Sequence, residues 1–85
     1  MNVAERFGVN LKRCRRLAGL SQEEAAIRAS VHRTEIGLLE RGERCPRIDT
    51  VLKLAGAVEA DFAELVEGIA WEPGQSHPGN FELTG

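Results

Sequence analysis

The sequence holds no apolar run near the ~20 residues that a membrane-spanning helix needs. Its first twenty residues are interrupted by Glu5, Arg6 and the Lys12-Arg13-Cys14-Arg15-Arg16 run, a pattern that does not fit a secretory leader. The expectation is a cytoplasmic protein without membrane contact. Cysteine is scarce: Cys14 and Cys45 lie 31 positions apart, a spacing of neither zinc ligands nor a disulfide scaffold, so two reduced thiols are expected. His32 and His77 are the only histidines, no glycine-rich phosphate loop is present, and no nucleophile has a base at a motif spacing. That inventory argues against an enzyme, a metal site or a cofactor. With 85 residues the chain makes one small domain.

Surplus charge is lacking too, since the net value is −2, but its distribution is uneven. Residues 1–47 carry ten of the eleven Lys and Arg against six acids, whereas residues 48–85 carry only Lys53 against seven acids. Attraction to a polyanion depends on the charge that faces it rather than on the sum, so a basic front with an acidic back remains compatible with nucleic acid.

What is present is a succession of short helical patterns. Val3, Phe7, Leu11, Cys14 and Ala18 recur at the spacing of one helix face, predicting a helix from about Asn2 to Ala18 that Gly19 terminates. Ser21-Gln22-Glu23-Glu24 reads as a capping box opening a helix over 22–29, whose Ala25, Ala26 and Ala29 let a neighbour approach closely. A third helix is expected from His32 or Arg33 to Arg41, with Ile36, Leu39 and part of Leu38 turned inward and Gly42 stopping it. Pro46 precedes a fourth helix over 48–58, with Ile48, Val51, Leu52 and Ala55 as its inward stripe. Asp61-Phe62-Ala63-Glu64 reads as a second capping box for a short fifth helix ending near Gly68. Residues 69–85, with Pro73, Pro78 and three glycines, lack helical period and are expected to be an extended tail.

A helix of about eight residues, a tight turn and a second short helix is the helix-turn-helix plan. Gly19-Leu20-Ser21-Gln22-Glu23-Glu24, then Val31 through Gly42 and Pro46, together with Leu11, Arg15, Leu54 and Ala55, resemble the lambda/Cro-type (phage-repressor-like, XRE) regulators over about residues 3–68. The resemblance implies an all-α, five-helix DNA-binding domain over 1–68, whose third helix enters the major groove of an operator. The function expected is that of a sequence-specific transcriptional regulator, a repressor in the first instance. Arg33, Thr34, Gly37 and Leu38 are the expected base-reading positions. Arg33 can donate two hydrogen bonds to guanine, and Leu38 either meets a thymine methyl or is buried by a neighbour. Gln22, His32, Arg44 and Arg47 are the phosphate candidates, weighed against a solvated loop for the two arginines and a helix cap for His32. Arg15 and Glu40 are implied to form a structural ion pair.

Two departures from the family pattern stand out. Ser30 and Glu59 occupy turn positions where glycine is usual because φ is positive, at about 1 kcal/mol each for other residues. Glu35 is unexpected on a DNA-facing helix; capping of that helix ranks first, ahead of pairing with Arg33 or Arg28 or contact with cytosine. A palindromic operator calls for a homodimer, for which Phe62, Leu65, Trp71 and Phe81 are the candidates. Phe81-Glu82-Leu83 is expected to pair as a strand with the body or with a twofold mate, against the alternatives of a folded-back or disordered tail. The competing function is an antitoxin that binds its own promoter and a protein partner through residues 69–85.

Overall fold

The computed structural model describes residues 1–84. It contains α1 (Val3–Leu17), α2 (Gln22–Ala29), α3 (Arg33–Glu40), α4 (Ile48–Ala57), α5 (Phe62–Leu65), β1 (Ile69–Glu72) and β2 (Asn80–Leu83). Among the described residues no helix is long and apolar enough to cross a membrane.

Helix α1 begins with a capping box absent from the sequence reading: Glu5 N–H donates to Asn2 Oδ1 and Asn2 N–H to Glu5 Oε1, both at 2.9 Å. Phe7, Leu11 and Cys14 are buried along its inner face. Gly8 is the point of closest approach to α3, because a Cβ there would lie 2.4 Å from the Leu39 carbonyl oxygen. The expected box of α2 is present, with Glu24 N–H on Ser21 Oγ at 3.0 Å and Ser21 N–H on Glu24 Oε1 at 2.9 Å. Ala25, Ala26 and Ala29 are buried, and α2 packs on both α3 and α4 through them. Ser30 and Glu59 adopt φ of 54° and 58°, the left-handed turns anticipated for them.

The fourth helix is rotated relative to the expected stripe. Val51, Leu54, Ala55 and Val58 face the core, while Ile48 and Leu52 are 64% and 59% exposed. Both sets obey the three-four spacing and share Val51 and Ala55. A helix apolar over most of its circumference leaves its own rotation undetermined, and packing against α2 and α5 decides it. The second capping box does not form: the Glu64 amide donates to the Asp61 carbonyl at 3.0 Å, a tight turn that leaves the Asp61 side chain without a cap bond. Leu65 is fully enclosed in the core with Leu11, Ile36, Leu39 and Leu54 and therefore has no surface to offer a second subunit, which corrects its assignment to the dimer contact.

The tail is a β-hairpin. β1 and β2 pair antiparallel with Ile69 opposite Leu83 and Trp71 opposite Phe81. Alternation along each strand puts these four residues on one face. The inner pair Ile69 and Leu83 is half-buried, and Trp71 meets Phe81 edge-on with ring centroids 5.0 Å apart. The strand expected over residues 81–83 thus finds its partner within the same chain. Two polar residues overlooked in the sequence anchor this end. Asn10, fully buried on α1, donates through Nδ2 to the Leu65 and Glu67 carbonyls at 3.0 and 2.9 Å, and Arg6 Nε donates to the Glu67 carbonyl at 3.2 Å. These bonds take up the Leu65 carbonyl at the end of the four-residue α5 and the Glu67 carbonyl in the turn that follows it.

Candidate nucleic-acid interface

Helix α3 is set by what it buries. Ile36 and Leu39 are wholly enclosed, which forces Arg33 and Thr34 outward, and both are exposed. Arg33 makes no side-chain hydrogen bond or ion pair among the described residues, so its donors are free. Leu38 is half-buried and divides its surface between core and solvent. Gly37 differs from expectation: it is buried, covered by the Arg41 guanidinium, and so presents little surface of its own to a base. His32 is the N-cap of α3, with Nδ1 accepting from Thr34 N–H at 3.2 Å; its ring covers the helix end while remaining exposed.

The flanking cations behave unequally. Arg44 is ion-paired with Glu35. That contact answers the question posed by Glu35, which neither caps α3 nor meets Arg33, while Arg28 is engaged by Glu59 at 3.1 Å. Arg47 is the N-cap residue of α4, its side chain 86% exposed and only loosely paired with Asp49 at 3.4 Å. Of the two loop arginines it is the one whose charge is most open to solvent.

Behind the helix the charged brace is as expected. Arg15 Nε and Nη2 donate to the two oxygens of Glu40 at 2.6 and 2.9 Å, a bidentate geometry, and Arg15 Nη1 donates to the Leu20 carbonyl at 2.9 Å. Their side chains are 10% and 3% exposed. The hydrogen bond to Glu40 pushes the Arg15 pKa upward, which favours the charged guanidinium. Gln22 joins it, with Nε2 donating to Glu40 Oε1 at 3.1 Å. The Gln22 amide is thus held as part of the brace linking α1, α2 and the end of α3. Reaching a phosphate would require it to leave that bond.

The candidate association residues are far from α3 in sequence. Phe62 is 38% exposed, Trp71 56% and Phe81 53%, and Ile48 and Leu52 on α4 add apolar surface that the sequence reading had turned inward. Val3, Phe7, Pro46, Ile48, Phe62 and Ile69 are among the residues lining a groove of about 230 Å³. Cys14 is buried, and burial raises its thiol pKa, whereas Cys45 is exposed.

Two short helices joined by a tight turn, the second held outward with free hydrogen-bonding groups, define a helix-turn-helix protein. The helix-turn-helix family pattern matches residues 11–65, and the chain belongs to that family of DNA-binding transcriptional regulators. It is 38% identical over 66 residues to the uncharacterized HTH-type transcriptional regulator y4dJ of Sinorhizobium fredii (strain NBRC 101917 / NGR234), a match spanning 78% of this chain and 86% of that protein. It is 34% identical over 76 residues to the control protein C.SmaI of Serratia marcescens, spanning 87% and 90%. Among solved structures, the restriction-modification controller protein C.AhdI from Aeromonas hydrophila superimposes with a TM-score of 0.70 at 37% identity, covering 73% of this chain and 94% of that one. The clp gene regulator ClgR from C. glutamicum, 23% identical with a TM-score of 0.73, shares the fold.

Proposed function

We propose that this chain binds a palindromic operator as a homodimer, with α3 of each subunit in the major groove and Arg33 and Thr34 reading base edges. The observation that carries this reading is the outward face of α3, where an exposed arginine with unengaged donors sits at the helix start, backed by a rigid charged brace. An arginine so placed can donate to guanine O6 and N7, the commonest specific major-groove contact, worth about 1–3 kcal/mol of discrimination. Arg47, and Arg44 once released from Glu35, serve phosphates, as does His32 at the helix start. Dimerisation follows from the reading requirement, because one short helix contacts too few base pairs for useful specificity. The exposed apolar strip of Ile48, Leu52 and Phe62, and the aromatic pair Trp71 and Phe81, are the surfaces proposed to meet the second copy.

The small regulators that this chain resembles over most of their length include the control protein C.SmaI and the restriction-modification controller protein C.AhdI. By that likeness the chain is proposed to act as a transcriptional controller of the same kind. Selection of bound sequences from a random DNA pool tests the reading. The expected result is an inverted repeat with half-sites centred about one helical turn apart. Recovery of unrelated sequences, or of a single unrepeated site, would overturn it.

A further inference from the structure

Gly37 raises a question that the base-reading proposal leaves open, because the middle of the outward face of α3 carries no side chain. Residues 33, 37 and 41 follow one another at intervals of four and share a helix face. At the end of that face, Arg41 is the C-cap residue of α3, and its side chain is 61% exposed. Long helical side chains lean toward the N-terminus and cover the turn before their own Cα. Arg41 does this: a Cβ at Gly37 would lie 2.9 Å from Arg41 Nη1 and 3.7 Å from Cζ, so the guanidinium rests in the notch that the missing side chain leaves. Arg41 Nε also contacts the Glu43 carboxylate, and both partners are more than half exposed, so the pair can open with little loss.

We propose that Arg41 is a further specificity-determining residue, donating its guanidinium to a guanine edge at the middle of the α3 footprint. Gly37 acts as the notch that admits it, and Glu43 holds the side chain parked until DNA is bound. The inference rests on α3 being the helix that faces DNA. It adds a second guanine-reading arginine, one full length of α3 from the first in sequence but delivered only one turn from it in space. The planar fork matches guanine O6 and N7 together, which a lysine cannot reproduce. Because the positioning depends on the absence of a Cβ, Gly37→Ala should act through Arg41.

The test uses the operator selected by the full-length chain and its single-base variants, with wild type, Arg41→Ala, Arg41→Lys, Gly37→Ala and Arg33→Ala compared at one salt concentration. Thermal unfolding confirms that each variant folds. Expected is a loss of about ten-fold or more in discrimination at one G·C pair per half-site for Arg41→Ala and Arg41→Lys, at a pair distinct from the one affected by Arg33→Ala. Gly37→Ala should lose discrimination at the same pair as Arg41→Ala, and combining the two should add little further. Equal weakening across all sequences, with a salt slope shallower by about one, would make Arg41 a phosphate contact and overturn base reading. Unchanged binding would also overturn it. Failure of Arg33→Ala as well would instead overturn the assignment of α3 to DNA.

Discussion

At the residue scale, the fold separates the exposed charges proposed to read DNA from the enclosed charges that hold α3 in place. Arg15 and Glu40 are enclosed and mutually bidentate, so removing either leaves the other desolvated without its partner. Arg15→Ala and Glu40→Gln are each expected to lower stability by about 3 kcal/mol in denaturant unfolding, with Gln22→Ala lowering it by about 1 kcal/mol. Glu24 offers a pH test. The Ser21 backbone N–H, helped by the Ser21 hydroxyl, holds its carboxyl below the ordinary value of 4.5. A folded-state value below the unfolded one contributes stability that is present above about pH 4.5 and is lost as pH falls through the folded value. The stability difference between wild type and Glu24→Gln should therefore shrink on acidification below that pH. A difference independent of pH from 3 to 7 would remove the carboxylate from the cap.

At the scale of elements, the strong local signals were legible and the ambiguous ones were not. The box at Ser21 and the stops at Gly19 and Gly42 are each fixed by a few neighbouring residues and were readable, whereas the positive φ at Ser30 and Glu59 was legible only through the family resemblance, which puts glycine there. Ser30→Gly should raise stability by about 1 kcal/mol, since it relieves a left-handed turn and removes no side-chain bond. No gain would mean that the turn is relaxed as it stands. The rotation of α4 was not readable because its apolar residues form two overlapping stripes, and only the position of α2 and α5 selects between them. The Asp61 box was misread because α5 closes on a backbone carbonyl instead. Asn10 and Arg6 were overlooked because they are polar residues buried by contacts with Leu65 and Glu67, more than fifty positions away. In the site, the outward placement of Arg33 and Thr34 was legible from the helix period and the Arg15–Glu40 pair from the family resemblance, whereas the Glu35–Arg44 pair and the Arg41 cover over Gly37 depend on side-chain paths that no motif encodes.

For the whole molecule, the near-neutral sum conceals a basic N-terminal half, residues 1–47, and if that half meets DNA as proposed, binding should respond to salt. If about six phosphates are neutralised per dimer, log K against log [salt] should slope near −5. A flat response would argue against this surface. The proposed dimerisation through the apolar strip is open to disruption from α4, where Ile48→Glu and Leu52→Glu change exposed side chains without entering the core. Sedimentation should then give a monomer whose unfolding midpoint is unaltered at low concentration; an intact dimer would move the contact elsewhere, with the hairpin aromatics Trp71 and Phe81 the next to change. The central claim, that α3 reads sequence while its flanks grip the backbone, is tested most directly by measuring affinity for the selected operator and every single-base variant with wild type, Arg33→Ala and Arg47→Ala. The account predicts that Arg33→Ala loses about ten-fold or more in discrimination at one base pair per half-site, while Arg47→Ala weakens all sequences alike. Altered preference with Arg47→Ala and unaltered preference with Arg33→Ala would contradict it.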